Sequence, residues 1–305
     1  MSYSAPGPSH QLPTTVVRLP VAVLTAALFA GCMTWNPGWE APSVPNASQA
    51  EPVALAHAEH LYRRADDRES LIEATAAFER SLALSPDDYD VLVRLSETRI
   101  LDGAAYASRR REKAAAYREG IRYAERAMAT NPSFRERVEA GATVGGAVSE
   151  LGQREIKAML LWVTGVSYYF KECQSGLGHV VNFRWMRRTQ EVMEHMMTVD
   201  PGFENGAVPF SLGIYYVGLP PSVGGDLDRA EELMARAVEE SGSHLLPRWG
   251  RAKYLHLKTG DREAFQRDLE WVLAQNPGES DSPYAWNVYF QNDAKAMLSS
   301  IDRHF

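Results

Sequence analysis

The chain has 305 residues, of which 45% are hydrophobic and 23% charged, and its formal net charge is −7 at pH 7. It is long enough to bury a large core, and this composition is ordinary for a globular protein. The charge pattern argues against nucleic-acid binding, because the densest basic cluster, Arg109-Arg110-Arg111, is followed at once by Glu112.

The N-terminal segment predicts a secretory signal. Residues 19–31, LPVAVLTAALFAG, form an uncharged apolar run. Such a run is too short to span a bilayer comfortably but is typical of a signal-peptide core. The run leads into FAGC at 29–32, which resembles a bacterial lipobox, where the cysteine is acylated. We therefore expect residues 1–31 to be removed and Cys32 to carry a lipid anchor, the alternative being a plain anchor helix.

Residues 32–52 predict a flexible tether behind the lipidated cysteine. They are rich in Pro, Ser, Asn and Ala and carry almost no charge. About twenty residues of this kind span on the order of 25 Å, which separates a folded body from the membrane. The folded body is then residues 53–305. Its one cysteine, Cys173, has no intramolecular partner once Cys32 is lipidated, so we expect no disulfide.

Four segments of the body share one kind of helix ending. Proline cannot continue a helix, and it pushes the residue before it out of the helical region. Each segment therefore predicts an amphipathic helix that stops just before its proline. The segments are FERSLALSP (78–86), AERAMATNP (124–132), MEHMMTVDP (193–201) and LEWVLAQNP (269–277).

The spacing inside two of the body's helices is typical of the second helix of a tetratricopeptide (TPR) repeat. That pattern has Ala, a large residue four positions on, a small residue three further, and proline five beyond. We predict an all-α, TPR-like solenoid of helical hairpins, with about five degenerate repeats and a C-terminal capping helix at 282–302. The residues that obey the spacing are Ala74, Phe78, Ser81 and Pro86 in one helix, and Ala230, Met234 and Ala237 in another.

Motifs for catalysis or metal binding are missing from the sequence. It contains no GxSxG, HExxH, Walker A or CxxC pattern. His57 and His60 share one helix face, but without a third ligand a solvated face is favoured over a metal site. We therefore expect no enzymatic activity, no metal and no cofactor.

Aromatic residues are concentrated in two predicted helices. Trp162 and Tyr169 lie in the first, and Trp286 lies in the terminal helix. Large aromatic residues usually fill the core between helices. Helix bundles with many of them also line apolar pockets and channels. Both interpretations stay open for Trp162, Tyr169 and Trp286.

One segment late in the body, GLPPSVGGDLDRA, is unusually rich in Pro and Gly. Pro220 and Pro221 fix the backbone dihedral φ, while Gly224 and Gly225 allow φ values closed to other residues. Asp226 is placed to cap the helix that follows. No strand precedes the segment, which argues against a phosphate-binding loop. We predict a stiff, capped connector between two helices.

The motifs around this connector resemble the T component of TRAP transporters (TatT), a family of TPR-type periplasmic lipoproteins. The resemblance covers about 55–302, and its most specific part is the PPSxGGD segment. It implies an all-helical, non-enzymatic protein that forms trimers and has a channel through each protomer. The matching residues are Asp200-Pro201, Gly206, Phe210-x-x-Gly213-x-x-Tyr216, PPSxGGD, and Asp261-Arg262-Glu263-Ala264-Phe265.

The resemblance also implies partners. T components dock a periplasmic substrate-binding protein and help pass an apolar or organic-acid ligand to a membrane permease. We therefore expect a membrane-anchored accessory component of solute uptake, the alternative being a TPR scaffold that assembles other envelope proteins. Met33, rather than Asp, follows Cys32, which favours the outer over the inner membrane.

Overall fold

Regular structure in the described part of the chain is entirely helical. The computed structural model describes residues 50–305, with side chains from Pro52 onward, and it contains no strand there. This confirms the predicted all-α class. The α-helices, in chain order, are α1 (Ala50–Tyr62), α2 (Arg68–Leu84), α3 (Tyr89–Leu101), α4 (Arg110–Met128), α5 (Pro132–Glu139), α6 (Val144–Ala147), α7 (Ile156–Tyr168), α8 (Leu177–Val199), α9 (Ala207–Gly218), α10 (Leu227–Glu240), α11 (Leu246–Gly250), α12 (Leu257–Thr259), α13 (Arg262–Ala274) and α14 (Tyr284–Ser299).

The predicted N-terminal features fall mostly outside this part. The signal peptide at 1–31 and the lipidated Cys32 lie outside the described residues. Helix α1 begins at Ala50, within the last residues of the predicted tether. Among the described residues, no helix has the length and apolarity needed to cross a membrane.

Proline and side-chain caps set the helix boundaries. Helices α2 and α8 end just ahead of Pro86 and Pro201, as predicted. Pro132 is instead the first residue of α5. At that position the missing N–H of proline costs nothing, because it would have no partner within the helix. At the start of α2, the carboxylate of Asp67 accepts a hydrogen bond from the backbone N–H of Ser70 at 2.8 Å. Such caps satisfy N–H groups that have no partner within the helix.

Neighbouring helices pack side by side along the chain. Helix α1 packs on α2, α3 on α4, α9 on α10, and α13 on α14. Helix α7 is central, because it contacts α3, α4, α8 and α9. Its residues are buried on most sides, which suits a sequence that is apolar almost all round.

Three π-helical turns interrupt the α-helical pattern between residues 50 and 305. They follow α3 at Asp102–Tyr106, follow α7 at Tyr169–Cys173, and join α11 to α12 at Arg251–His256. A π turn holds an extra residue, so it redirects the side chains that come after it, and such turns are frequent at functional sites. The second and third π turns meet, with the ammonium of Lys171 4.3 Å from the centre of the Tyr254 ring.

The proline-glycine connector joins α9 to α10 through a single 3₁₀ turn, Pro221–Val223. Gly224 has φ of 101°, in the left-handed region that favours glycine. The carboxylate of Asp226 accepts a hydrogen bond from the N–H of Arg229 at 3.0 Å. Gly225 differs from the expectation, since its φ is not in that region. It is needed for space, because a Cβ atom there would lie 2.0 Å from the carbonyl oxygen of Leu219.

Candidate ligand-binding cavity

A cavity of about 800 Å³ lies within the helical body. Helices α7, α8, α9, α11 and α14 and the proline-glycine connector supply its wall. This volume is in the range of small-molecule sites, which are concave and mostly apolar. The wall is predominantly apolar, and many of its side chains are aromatic, among them Phe170, Phe183, Phe210, Trp249, Trp286 and Phe290.

Part of the cavity wall is exposed at the protein surface. Val180 near the start of α8 and Val223 in the connector both belong to the wall, and they are 74% and 44% exposed. The connector therefore holds part of the entrance in place, in addition to joining α9 to α10. A stiff connector suits this position, because the entrance keeps its shape without support from a packed core.

One face of α7 and its π turn runs along the cavity. The wall residues Lys157, Leu161, Thr164, Tyr168 and Lys171 follow one another at steps of three or four positions. That spacing places side chains on a single helix face. Lys171 comes fourteen positions after Lys157, and at about 1.5 Å per residue this stretch is about 20 Å long. The cavity is therefore elongated, with one lysine near each end of this wall.

At the first end, ion pairs neutralise every charged wall residue. The ammonium of Lys157 lies 2.7 Å from a carboxylate oxygen of Glu204 and 3.4 Å from one of Glu97. Glu97 also accepts a hydrogen bond from the guanidinium of Arg94 at 2.8 Å. Burial alone would raise the pKa of Glu97, but the charges of Lys157 and Arg94 hold it below its ordinary value. Glu97 therefore stays ionised at neutral pH.

The turn that supplies Glu204 has a strained backbone. Glu204 and Asn205 have φ of 46° and 50°, a left-handed conformation that non-glycine residues seldom adopt. The side-chain amide of Asn205 lies 2.9 Å from Nδ1 of His244, another wall residue. The two contacts, Glu204 with Lys157 and Asn205 with His244, hold the strained turn against the cavity.

At the second end, two carboxylates are each already engaged by another lysine. The ammonium of Lys113 lies 2.7 Å from a carboxylate oxygen of Glu172. The ammonium of Lys253 lies 2.9 Å from one of Asp293. Each carboxylate also accepts a second hydrogen bond, Glu172 from the hydroxyl of Tyr117 at 2.8 Å and Asp293 from the indole N–H of Trp249 at 2.8 Å.

Lys171 is the third lysine at that end. Among the described residues, no carboxylate lies within ion-pair distance of its ammonium, which instead lies over the ring of Tyr254. Burial, followed by repulsion from Lys253, lowers the pKa of Lys171 from 10.5 to about 8. The Lys171 side chain keeps accessible surface, as expected for a group on the wall of a cavity that reaches solvent.

Two tyrosine hydroxyls accompany Lys171. Tyr168 and Tyr254 belong to the cavity wall, and their hydroxyl groups are hydrogen-bonded to each other. Burial raises the pKa of both phenols well above the ordinary value, so they stay protonated, and the Tyr168 hydroxyl is also hydrogen-bonded to Tyr289. Lys171 and these hydroxyls form a small polar group at this end of a predominantly apolar wall.

The comparison with protein families identifies the chain. The family model of the TRAP transporter T-component matches residues 46–305. The chain belongs to this family. No curated protein matches it. This T-component is therefore an accessory component of a TRAP transporter system, a family with a role in transport rather than a known enzyme class.

The aromatic residues singled out in the sequence lie in three different places in this T-component. Trp286 is on the cavity wall. Trp162 is fully buried in the core, where its indole N–H donates to Glu125 at 3.1 Å, and it is not part of the wall. Tyr169 is also outside the wall, 6.0 Å from the guanidinium of Arg118, while its neighbours Tyr168 and Phe170 line the cavity.

Sequence reasoning missed the two lysines of the α7 wall. Lys157 and Lys171 stand on either side of residues 158–170, AMLLWVTGVSYYF, which carry no charge. Their separation of fourteen positions puts them on the same helix face. This pattern could have indicated two charged ends of an apolar wall. The partners that neutralise Lys157 but not Lys171 come from distant segments, so the sequence alone does not distinguish the two.

Proposed function

We propose that this T-component is a non-catalytic accessory protein of TRAP-type solute uptake that binds a periplasmic substrate-binding partner and passes a ligand through its cavity. The supporting observation is the elongated, aromatic cavity of about 800 Å³, in a chain that belongs to the T-component family. Its apolar wall suits an apolar ligand or an organic acid with an apolar body. The neutralised charges near Lys157 would keep that end from retaining a passing ligand.

We further propose that the protein is held at the periplasmic face of a membrane by a lipid on Cys32, after removal of residues 1–31. The lipobox-like FAGC sequence supports this, and residues 32–49 would form the tether to the helical body. Several acyl chains anchor a protein firmly, since each buried methylene contributes about 0.8 kcal/mol. The outer membrane is the proposed location.

The helical hairpins are proposed to form a TPR-like solenoid. In support, residues at the TPR positions are buried in both helices that show the spacing. In the proposed assembly, α14 caps the last repeat, and three copies associate as the family resemblance implies. The alternative role as an envelope scaffold would use an outer surface of the solenoid, and no observation among the described residues favours it over the cavity.

The proposed function is tested by capture from membranes. An affinity-tagged full-length chain is expressed in its own host, crosslinked in intact cells and purified, and bound proteins are identified by mass spectrometry. We expect a periplasmic substrate-binding protein and a permease of the TRAP type to be enriched over an untagged control. Enrichment of neither component would contradict the proposed function.

A further inference from the structure

We infer that Lys171 is the anion-recognition residue of the cavity, and that the cavity takes an elongated apolar molecule with one terminal anionic group, such as a carboxylate. The inference rests on the proposed function, because it assumes that the cavity binds a ligand. It goes beyond that function by choosing the organic acid over the uncharged ligand, by naming the residue that binds its anionic group, and by giving its orientation in the cavity.

The charge balance at the second end of the cavity supports this inference. The ammonium groups of Lys113, Lys171 and Lys253 face the carboxylates of Glu172 and Asp293. Each carboxylate forms an ion pair with a lysine other than Lys171. Each also accepts a hydrogen bond from a second side chain. Lys171 is thus a wall residue that keeps accessible surface and has no carboxylate within ion-pair distance among the described residues. A ligand carboxylate would remove this imbalance.

The surroundings of Lys171 leave its ammonium available to an anionic group. The ring of Tyr254 lies beside the ammonium and stabilises the cation, but its face accepts no ordinary hydrogen bond, so the N–H donors of Lys171 stay available. The hydroxyls of Tyr168 and Tyr254 lie on the same part of the wall and make it polar, although they are already hydrogen-bonded in a chain with Tyr289. A carboxylate accepts several hydrogen bonds, and bonds to a charged donor are the strongest.

The rest of the cavity restricts the ligand to one charge and to an apolar body. Near Lys157 the carboxylates of Glu97 and Glu204 are already paired, so a second ligand anion would meet like charges there. The wall between the two lysines is about 20 Å long and carries no charged side chain from 158 to 170. An extended alkyl or aromatic body fits this wall, with its anionic end at Lys171 and its apolar end toward Lys157.

The test compares three probes that share a ten-carbon chain: decanoate, 1-decanol and decanedioate. Binding to the full-length chain is measured by isothermal titration calorimetry at neutral pH. The blank is a titration of each probe into the same solution without the protein. We expect decanoate to bind about tenfold or more tightly than 1-decanol, as a charge-assisted hydrogen bond provides. Decanedioate should bind more weakly than decanoate, because its second carboxylate must enter an apolar or anionic region.

Three variants assign this preference to Lys171. Lys171→Met keeps the length of the side chain without its charge, and it should weaken decanoate binding about tenfold or more while leaving 1-decanol binding nearly unchanged. Lys171→Arg should retain the preference for decanoate. The matched control is Lys295→Met, because Lys295 is an exposed residue of α14 outside the cavity wall, and it should change neither affinity.

The pH dependence gives a readout that does not require Lys171→Met to fold. Decanoate stays ionised from about pH 7 to about pH 9.5, while Lys171 loses its proton as the pH passes about 8. Affinity of the unaltered chain for decanoate should therefore fall over this range, whereas affinity for 1-decanol should not. Lys171→Arg should largely remove the fall, because an arginine remains charged. Glu172, Asp293, Lys113 and Lys253 also face Lys171, but each is held in an ion pair.

Equal affinity for decanoate and 1-decanol, or an unchanged preference in Lys171→Met, would overturn the inference while leaving a ligand-binding cavity intact. Binding of neither probe would also overturn it. The membrane capture experiment would still decide the proposed function separately, because it does not depend on the ligand.

Discussion

At the scale of single residues, the two lysines of the cavity wall differ in their ion-pair partners. Lys157 and Lys171 lie on the same wall, yet Lys157 has two carboxylate partners and Lys171 has none within ion-pair distance among the described residues. The charge of Lys157 is therefore neutralised at one end of the cavity. At the other end, three lysines face two carboxylates, so one positive charge is left without a carboxylate partner in the described part of the chain. The difference follows from the partners that folding brings to each lysine.

Asp268 shows the structural use of a buried charge. Its carboxylate is buried and accepts hydrogen bonds from Arg251 at 2.7 and 2.8 Å, with Nε2 of His256 at 3.2 Å. Burial alone would raise the pKa of Asp268, but these partners lower it from 3.8 to about 2. The group therefore contributes stability above its unfolded pKa, and this contribution is lost as the pH falls toward 2.

We predict that Asp268→Asn lowers the free energy of unfolding by about 2 kcal/mol or more at neutral pH, because it leaves the half-buried Arg251 without its counter-ion. The difference from the unaltered chain should narrow as the pH falls from about 4 to about 2, where Asp268 itself is protonated. Urea unfolding followed by circular dichroism measures both effects. Asp281→Asn, at an exposed position, is the control, and a difference that stays constant across this pH range would contradict the account.

Cys32 carries the prediction for membrane anchoring. Cys32→Ser removes the thiol that the proposed lipid requires, so palmitate labelling should disappear and the protein should leave the membrane fraction. Cys173→Ser is the matched control, because Cys173 is buried in the helical body and should leave labelling unchanged. Metabolic labelling and cell fractionation measure both. Continued labelling of the Cys32 variant would contradict the lipid anchor.

At the scale of helices and connections, the structure combines regular ends with irregular turns. Proline positions predict where α2 and α8 end, because proline acts locally and needs no tertiary contact to stop a helix. The π turns at Tyr169–Cys173 and Arg251–His256 have no such local signal. They bring Lys171 and Tyr254 together across the fold, so only the tertiary structure reveals them.

The connector gives a prediction at this scale. Gly225→Ala would place a Cβ atom 2.0 Å from the carbonyl oxygen of Leu219. The backbone must shift, so we expect a loss of about 1–3 kcal/mol of stability, together with a changed cavity entrance. Gly152→Ala is the control, because a Cβ there meets no atom within 4 Å. Chemical denaturation measures the loss, and equal stability of the two variants would contradict the close approach.

At the scale of the whole molecule, the family and the all-α class could be predicted from the sequence, whereas the cavity could not. The helical periodicity and the PPSxGGD segment are local, and they appear directly in the residues. Whether an aromatic side chain fills the core or lines a cavity depends on which helices meet around it. Trp162 and Trp286 look alike in the sequence, yet the first is buried against Glu125 and the second lies on the cavity wall.

The central claim is that the cavity carries a ligand. The most direct measurement is to purify the full-length chain from its own host, extract it with organic solvent and identify bound small molecules by mass spectrometry. The comparison is Ile214→Trp, which places an indole on the cavity wall. We predict a molecule with an apolar body, near one per chain, that is present in the unaltered protein and depleted in Ile214→Trp. Equal amounts in both proteins, or no bound molecule in either, would contradict the claim.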